Sequence, residues 1–93
     1  MADYSGTITA SNVSQQMAPG NGTRGSLWLQ NISTVDMFLG FGVAAETDKG
    51  FKLVAGSGLL LDNEDRIKIS NKVNVICAIA TSKYIVNDDT NSL

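Results

Sequence analysis

A chain of 93 residues holds one domain's worth of sequence, and its 43% hydrophobic content excludes wholesale disorder. Seven Lys/Arg against nine Asp/Glu give a net charge of −2 with no basic stripe, which excludes nucleic-acid binding driven by phosphate contacts. Charged residues are only 17%, against about 25% in an average domain, so a partner or second copy is expected to cover part of the surface.

Residues 2–10 alternate weakly and predict an edge strand or an arm, and residues 13–17 predict a second short strand. The only proline, Pro19, meets Gly20 and Gly22 in the strongest turn signal of the chain. The next strand runs over 26–32, where the two-residue period puts Leu27, Leu29 and Asn31 on one face and Trp28, Gln30 and Ile32 on the other. Residues 33–36 read as a short hairpin connection into a strand over 37–43. Gly40 and Gly42 share a face there, a pattern that predicts a bulge, a tight bend or close approach of another backbone.

A loop with a helical turn is expected over 44–50, followed by short strands at 51–54 and 58–61 across a Gly-Ser-Gly turn. An acidic turn at 62–65 leads to a half-buried strand at 66–69, with Ile67 and Ile69 opposite Arg66 and Lys68. Residues 73–80 are nearly all apolar and rich in β-branched side chains, as in a central strand covered on both faces. A last strand at 83–87 precedes a polar tail, 88–93, expected to be mobile. The sum is one all-β domain over 1–93, a small sandwich or jelly-roll-like barrel of about eight short antiparallel strands.

Little in this frame supports catalysis. Histidine is absent, which removes the commonest general base and metal ligand. The single cysteine, Cys77, allows no intrachain disulfide or Cys-based zinc site and sits in an apolar run as a small core residue. Gly56, Ser57 and Gly58 lack the Lys-Ser/Thr of a phosphate loop. Asp62, Glu64 and Asp65 lack the spacing of a calcium loop and read as a solvated turn balanced by Arg66. The expectation is a protein that is not an enzyme, with no catalytic residues, no metal and no cofactor. The longest apolar run falls far short of the roughly 20 residues of a membrane span, and the N-terminus has neither the basic start nor the apolar run of a signal peptide. Synthesis in a cytoplasm and no membrane partner are therefore expected.

The assembled motifs are Ser-Gln-Gln-Met-Ala-Pro at 14–19, Arg24 ahead of Leu-x-Leu-Gln-Asn at 27–31, and Phe-Leu-Gly-Phe-Gly at 38–42. Gly-Phe-Lys-Leu-x-x-Gly at 50–56 and Val-x-Val-Ile-Cys-Ala-Ile-Ala-Thr at 73–81 complete them. Together they resemble small β-sandwich virion proteins of tailed bacteriophages: capsid decoration or cement proteins, and some neck and tail components. Usual members carry a proline where this chain has Val54 and Ala55. The resemblance implies a homo-oligomer, often a trimer, that sits on the capsid surface of the virion and bridges neighbouring major capsid protein subunits. Residues 1–17 are then a candidate capsid-binding arm, and Tyr4, Ile8, Val13, Met17, Arg24 and Trp28 are the candidate interface residues. A neck, tail or fibre component is the nearest alternative. A carbohydrate-binding module is another, with Trp28 joined by Tyr4 or Tyr84 as a stacking platform.

Overall fold

The computed structural model describes residues 2–20, 24–62 and 72–90. Among these, nine strands occur: β1 (Ala2–Asp3), β2 (Gly6–Thr7), β3 (Gln15–Ala18), β4 (Arg24–Asn31), β5 (Met37–Phe41), β6 (Phe51–Leu53), β7 (Gly58–Asp62), β8 (Val73–Cys77) and β9 (Lys83–Thr90). They form two antiparallel sheets, one ordered β1-β9-β4-β7 with β2 also on β9, the other β3-β8-β5-β6. The expected all-β sandwich is what the chain forms. The strand foreseen at 66–69 and the acidic residues Glu64 and Asp65 lie outside the described residues.

The inner faces follow from alternation. Leu27 and Leu29 of β4, Leu61 of β7 and Val86 of β9 meet Met37, Leu39, Leu53, Val73 and Val75 of the other sheet in one core. Removing each of these side chains from water is worth roughly 1.5–3 kcal/mol. All five residues of β8, Asn74 included, are buried in a strand flanked by β3 and β5, but the covered strand expected over 73–80 ends at Cys77, and Ala78 and Ile79 are exposed in the turn that follows. Cys77 is free and buried at the end of β8.

Consecutive strands change sheet at most connections. Residues 33–36, expected as a hairpin, instead carry the chain from β4 in one sheet to β5 in the other. The turn after β6 crosses back: Ser57 N donates to Val54 O at 2.9 Å, with Gly56 at φ 78° in the third position, where L side chains are strained. The segment 44–50 forms no helix; Lys49 N bonds Glu46 O in a tight turn with Asp48 at φ 64°.

Asn31 joins the two sheets. It is fully buried at the end of β4, and its Nδ2 donates to Leu53 O of β6 at 2.9 Å and to Val35 O at 2.7 Å. Its Oδ1 accepts from Ser33 N at 2.9 Å and Ser33 Oγ at 2.6 Å. Main-chain bonds with Ser57 O and Gly56 N fasten the β6–β7 turn to the same residue.

The glycine pattern of β5 has a specific cause. A Cβ on Gly40 would stand 2.6 Å from Val43 O and 2.8 Å from Ala44 O, because the chain leaving β5 folds back over it. Asn74, opposite Gly40 on β8, holds that segment by donating to Val43 O at 2.6 Å. Close approach of another backbone is therefore the reason for this glycine.

Two substitutions test this frame. Asn31→Leu strands the buried Leu53 carbonyl and the part-buried Val35 carbonyl and is expected to cost about 2–3 kcal/mol in urea unfolding, at roughly 1–3 kcal/mol for each unmade bond. Gly40→Ala forces backbone apart and is expected to cost about 1–3 kcal/mol; an unchanged midpoint in either variant would contradict the geometry.

Candidate functional site

The strand alternation that buries Leu27, Leu29 and Asn31 turns Trp28 and Ile32 outward, as the sequence predicts. On this outer face Trp28 stands directly opposite Leu60 of β7 and Asn87 of β9. Its ring lies against Gly58, two residues before Leu60 on the same face of β7: a Cβ there would come within 3.1 Å of Trp28 Cη2 and Cζ2. Glycine there leaves room for the indole against the strand. Trp28 is 38% exposed and Leu60 61%, so two large apolar side chains share one patch of surface. Ile85, half-buried, and Ile32, exposed, carry the apolar surface along β9 and β4.

Beside this patch, β7 pairs only with β4 among the described residues. Its other edge presents main-chain donors and acceptors of the kind an added strand or a covering loop satisfies. The combination of an aromatic anchor, an apolar neighbour and a strand edge suits contact with another protein.

The other expected interface residues divide. Val13 is exposed at 54%, in the turn before β3. Ile8 and Met17 are core side chains, 1% and 2% exposed, so the expectation that they face a partner is corrected. Ile8 follows β2 inward, its N donating to Ser82 O and its O accepting from Thr81 N, both at 2.8 Å. Met17 is the extra residue of a β-bulge: Gln16 pairs with Asn74 and Ala18 with Val73, which places successive residues Met17 and Ala18 in the interior. Tyr4 packs half-buried against the core. The backbone of Arg24 begins β4, and its side chain lies outside the described residues.

Of the edge strand or arm expected at the N-terminus, the structure has the edge strand. Residues 2–7 pair with β9 and residues 15–18 with β8, so this segment supplies edge strands to both sheets. Gln15 ties the two parts: its Oε1 accepts from Thr9 N at 2.9 Å and its Nε2 donates to Thr7 O at 3.1 Å. Tyr84 lies in the core at 5% exposure and Tyr4 against it, so neither joins Trp28 in a sugar-stacking platform. The mobile polar tail foreseen over 88–93 is corrected for 88–90, since β9 runs to Thr90 and Asp88 is 2% exposed within it; residues 91–93 lie outside the described residues.

Among the described residues no three His, Cys, Asp or Glu side chains come together. The exposed carboxylates instead fasten loops. Asp36 accepts from Ala55 N at 2.9 Å and pairs with Lys52 at 3.3 Å, and these two partners hold its carboxyl below the ordinary aspartate value. Hydrogen bonds from the Ser5 side chain and backbone lower Asp3 in the same sense. No family model, no curated protein and no solved structure matches this chain.

Leu60 is the site residue that the sequence analysis did not single out. Its signal was present, since in the Leu59, Leu60, Leu61 run of a two-faced strand the middle side chain must face opposite to its neighbours.

A carboxylate held below its ordinary value stabilises the fold at neutral pH and loses that contribution as pH falls through the lowered value. The stability difference between wild type and Asp36→Asn is therefore expected to be present at neutral pH and to close below pH 3.8, the reference value of the free side chain. Urea midpoints across the acid range check this, and a pH-independent difference would contradict it.

Proposed function

We propose that this chain is a structural virion protein of a tailed bacteriophage: a capsid decoration, or cement, protein. In this role it binds the outer surface of the shell and stabilises it without chemistry. The observation that carries the proposal is the exposed Trp28–Leu60 pair beside the edge of β7. The resemblance of the strand motifs to such virion proteins supports the choice of partner, the major capsid protein.

A rigid small sandwich acts here by geometry. Seated across a joint between capsid subunits, each copy removes apolar surface from water on both sides, at about 25 cal/mol per Å2. Separating the subunits then requires that contact to break. Many copies on one lattice sum these contributions against the internal pressure of packaged DNA. A trimeric assembly matches three-fold positions on such a lattice and covers sheet edges that would otherwise invite aggregation.

The test is cosedimentation with empty capsid shells. Wild-type protein is expected to bind and to raise the temperature at which the shells come apart. Trp28→Ala with Leu60→Ser is expected to weaken binding at least about tenfold, in the range of lost interface anchors, while the chain stays folded with a urea midpoint lowered by the lost packing of the indole on Gly58. Undiminished binding would remove this face from the contact, and failure to bind any shell would overturn the capsid role. Light scattering is expected to give about three times the 9.8 kDa chain mass, whereas a larger ring would favour a neck or tail position.

The chain's single tryptophan offers a second readout. Trp28, partly exposed in the free chain, is expected to shift its emission to shorter wavelength and to lose quenching by iodide on shell binding. An unshifted spectrum in the bound state would place the indole outside the contact.

A further inference from the structure

At one end of the sandwich the β4–β5 connection faces the β8–β9 turn across an open cleft of about 390 Å3. Ile32, Ser33, Thr34 and Val35 form one wall; Ile79, Thr81, Ser82 and Lys83 form the other. The volume falls at the lower end of the roughly 300–1,000 Å3 of ligand sites.

The lining is chemically one-sided. It offers the hydroxyls of Thr34, Thr81 and Ser82, the cationic residue Lys83, exposed Ile32 and Ile79, and no carboxylate, while the Ser33 hydroxyl is already taken by Asn31 Oδ1 and Val35 O. Asp36, next along the chain, is already engaged by Ala55 N and Lys52. The ion pairs found among the described residues are Lys49 with Glu46 and Lys52 with Asp36, so Lys83 is in neither. An anion entering this cleft therefore meets positive charge and donors without displacing a resident acid.

A second observation concerns the backbone. Thr81 has φ 72°, in a region that a β-branched residue rarely adopts. Such conformations persist only where surrounding bonds enforce them, and they gather at binding sites. Here the enforcing bonds are Thr81 N to Ile8 O and Ile8 N to Ser82 O, on a residue that is itself core. The opposite wall is equally preset, since Asn31 Oδ1 holds Ser33 through both its N and its Oγ. Both sides are in place before any ligand arrives, which lowers the ordering cost of binding.

We propose that this cleft binds a short peptide segment of a partner protein, in which an acidic side chain sits next to branched apolar ones. The carboxylate meets Lys83 and the neighbouring hydroxyls, and the apolar side chains lie on Ile32 and Ile79. Openness favours a segment passing across over a free small molecule, which sites of this kind usually enclose. The proposal goes beyond the decoration role and does not depend on it, because it uses neither Trp28 nor Leu60.

The experiment is a titration of the full chain, followed by amide chemical shifts, with the blocked peptide acetyl-Val-Asp-Leu-amide. Shifts confined to residues 32–35 and 79–83 are expected, with affinity falling as salt is raised. Replacing the peptide Asp by Asn, or making Lys83→Gln, is expected to weaken binding at least about fivefold, and the two changes together no further. Thr81→Gly keeps Lys83 but frees the lip, and a fewfold loss with an intact spectrum is expected. Equal binding of the Asn peptide, indifference to Lys83→Gln, or shifts elsewhere would overturn the proposal. Isovalerate binding as tightly as the peptide would also overturn it, making the ligand a free acid.

Discussion

One primary amide sets how the two layers of this protein meet. Sheets stacked about 10 Å apart touch mainly through side chains, and apolar packing alone does not fix their relative position. Asn31 adds direction, because its Nδ2 leaves one sheet and ends on a main-chain carbonyl of the other. Every polar atom of that side chain is bonded, which is the condition under which a buried amide stabilises. Gln15 repeats the device, linking residues 7–9 beside one sheet to a strand of the other. The turn that walls the cleft and the turn that launches β7 are both held by Asn31, so the two surfaces of functional interest share one support.

Much of the fold was legible because it rests on alternation. The outward Trp28 between inward Leu27 and Leu29 follows from a period of two, and the buried β8 follows from a run that is apolar but for Asn74. Gly40 announced a close approach, and the segment 43–44 makes it. What the sequence withheld was the sheet to which each strand belongs. Residues 33–36 have the length and polarity of a hairpin turn, and nothing local says that the chain crosses to the other layer there.

The candidate site was less legible, for a related reason. Ile8 and Met17 are isolated apolar residues in a Ser/Thr/Gln-rich stretch, which is how an exposed arm also looks. Only pairing with β9 and β8 shows that they close the core from its edges. The bulge at Met17 breaks the alternation on which any face assignment relies. Asp88 misleads in the opposite sense, since a carboxylate near the end of a polar run reads as solvated yet sits inside β9. Leu60 gained its meaning from register: on its own strand it is one leucine of three, and opposite Trp28 it becomes half of a surface patch.

The position of β9 has a consequence for synthesis. It pairs with β1, β2 and β4, so the first strands of the described chain find their neighbour in the last. A ribosome delivers β4 and β7 well before the strand that must lie between β4 and β1. Until it arrives, β4 offers an open flank to other nascent or newly released chains. Closure of that sheet therefore waits for β9 and brings distant segments together, on the millisecond-to-second scale of such β topologies. A cell that makes this protein must keep half-finished sheets apart for that interval.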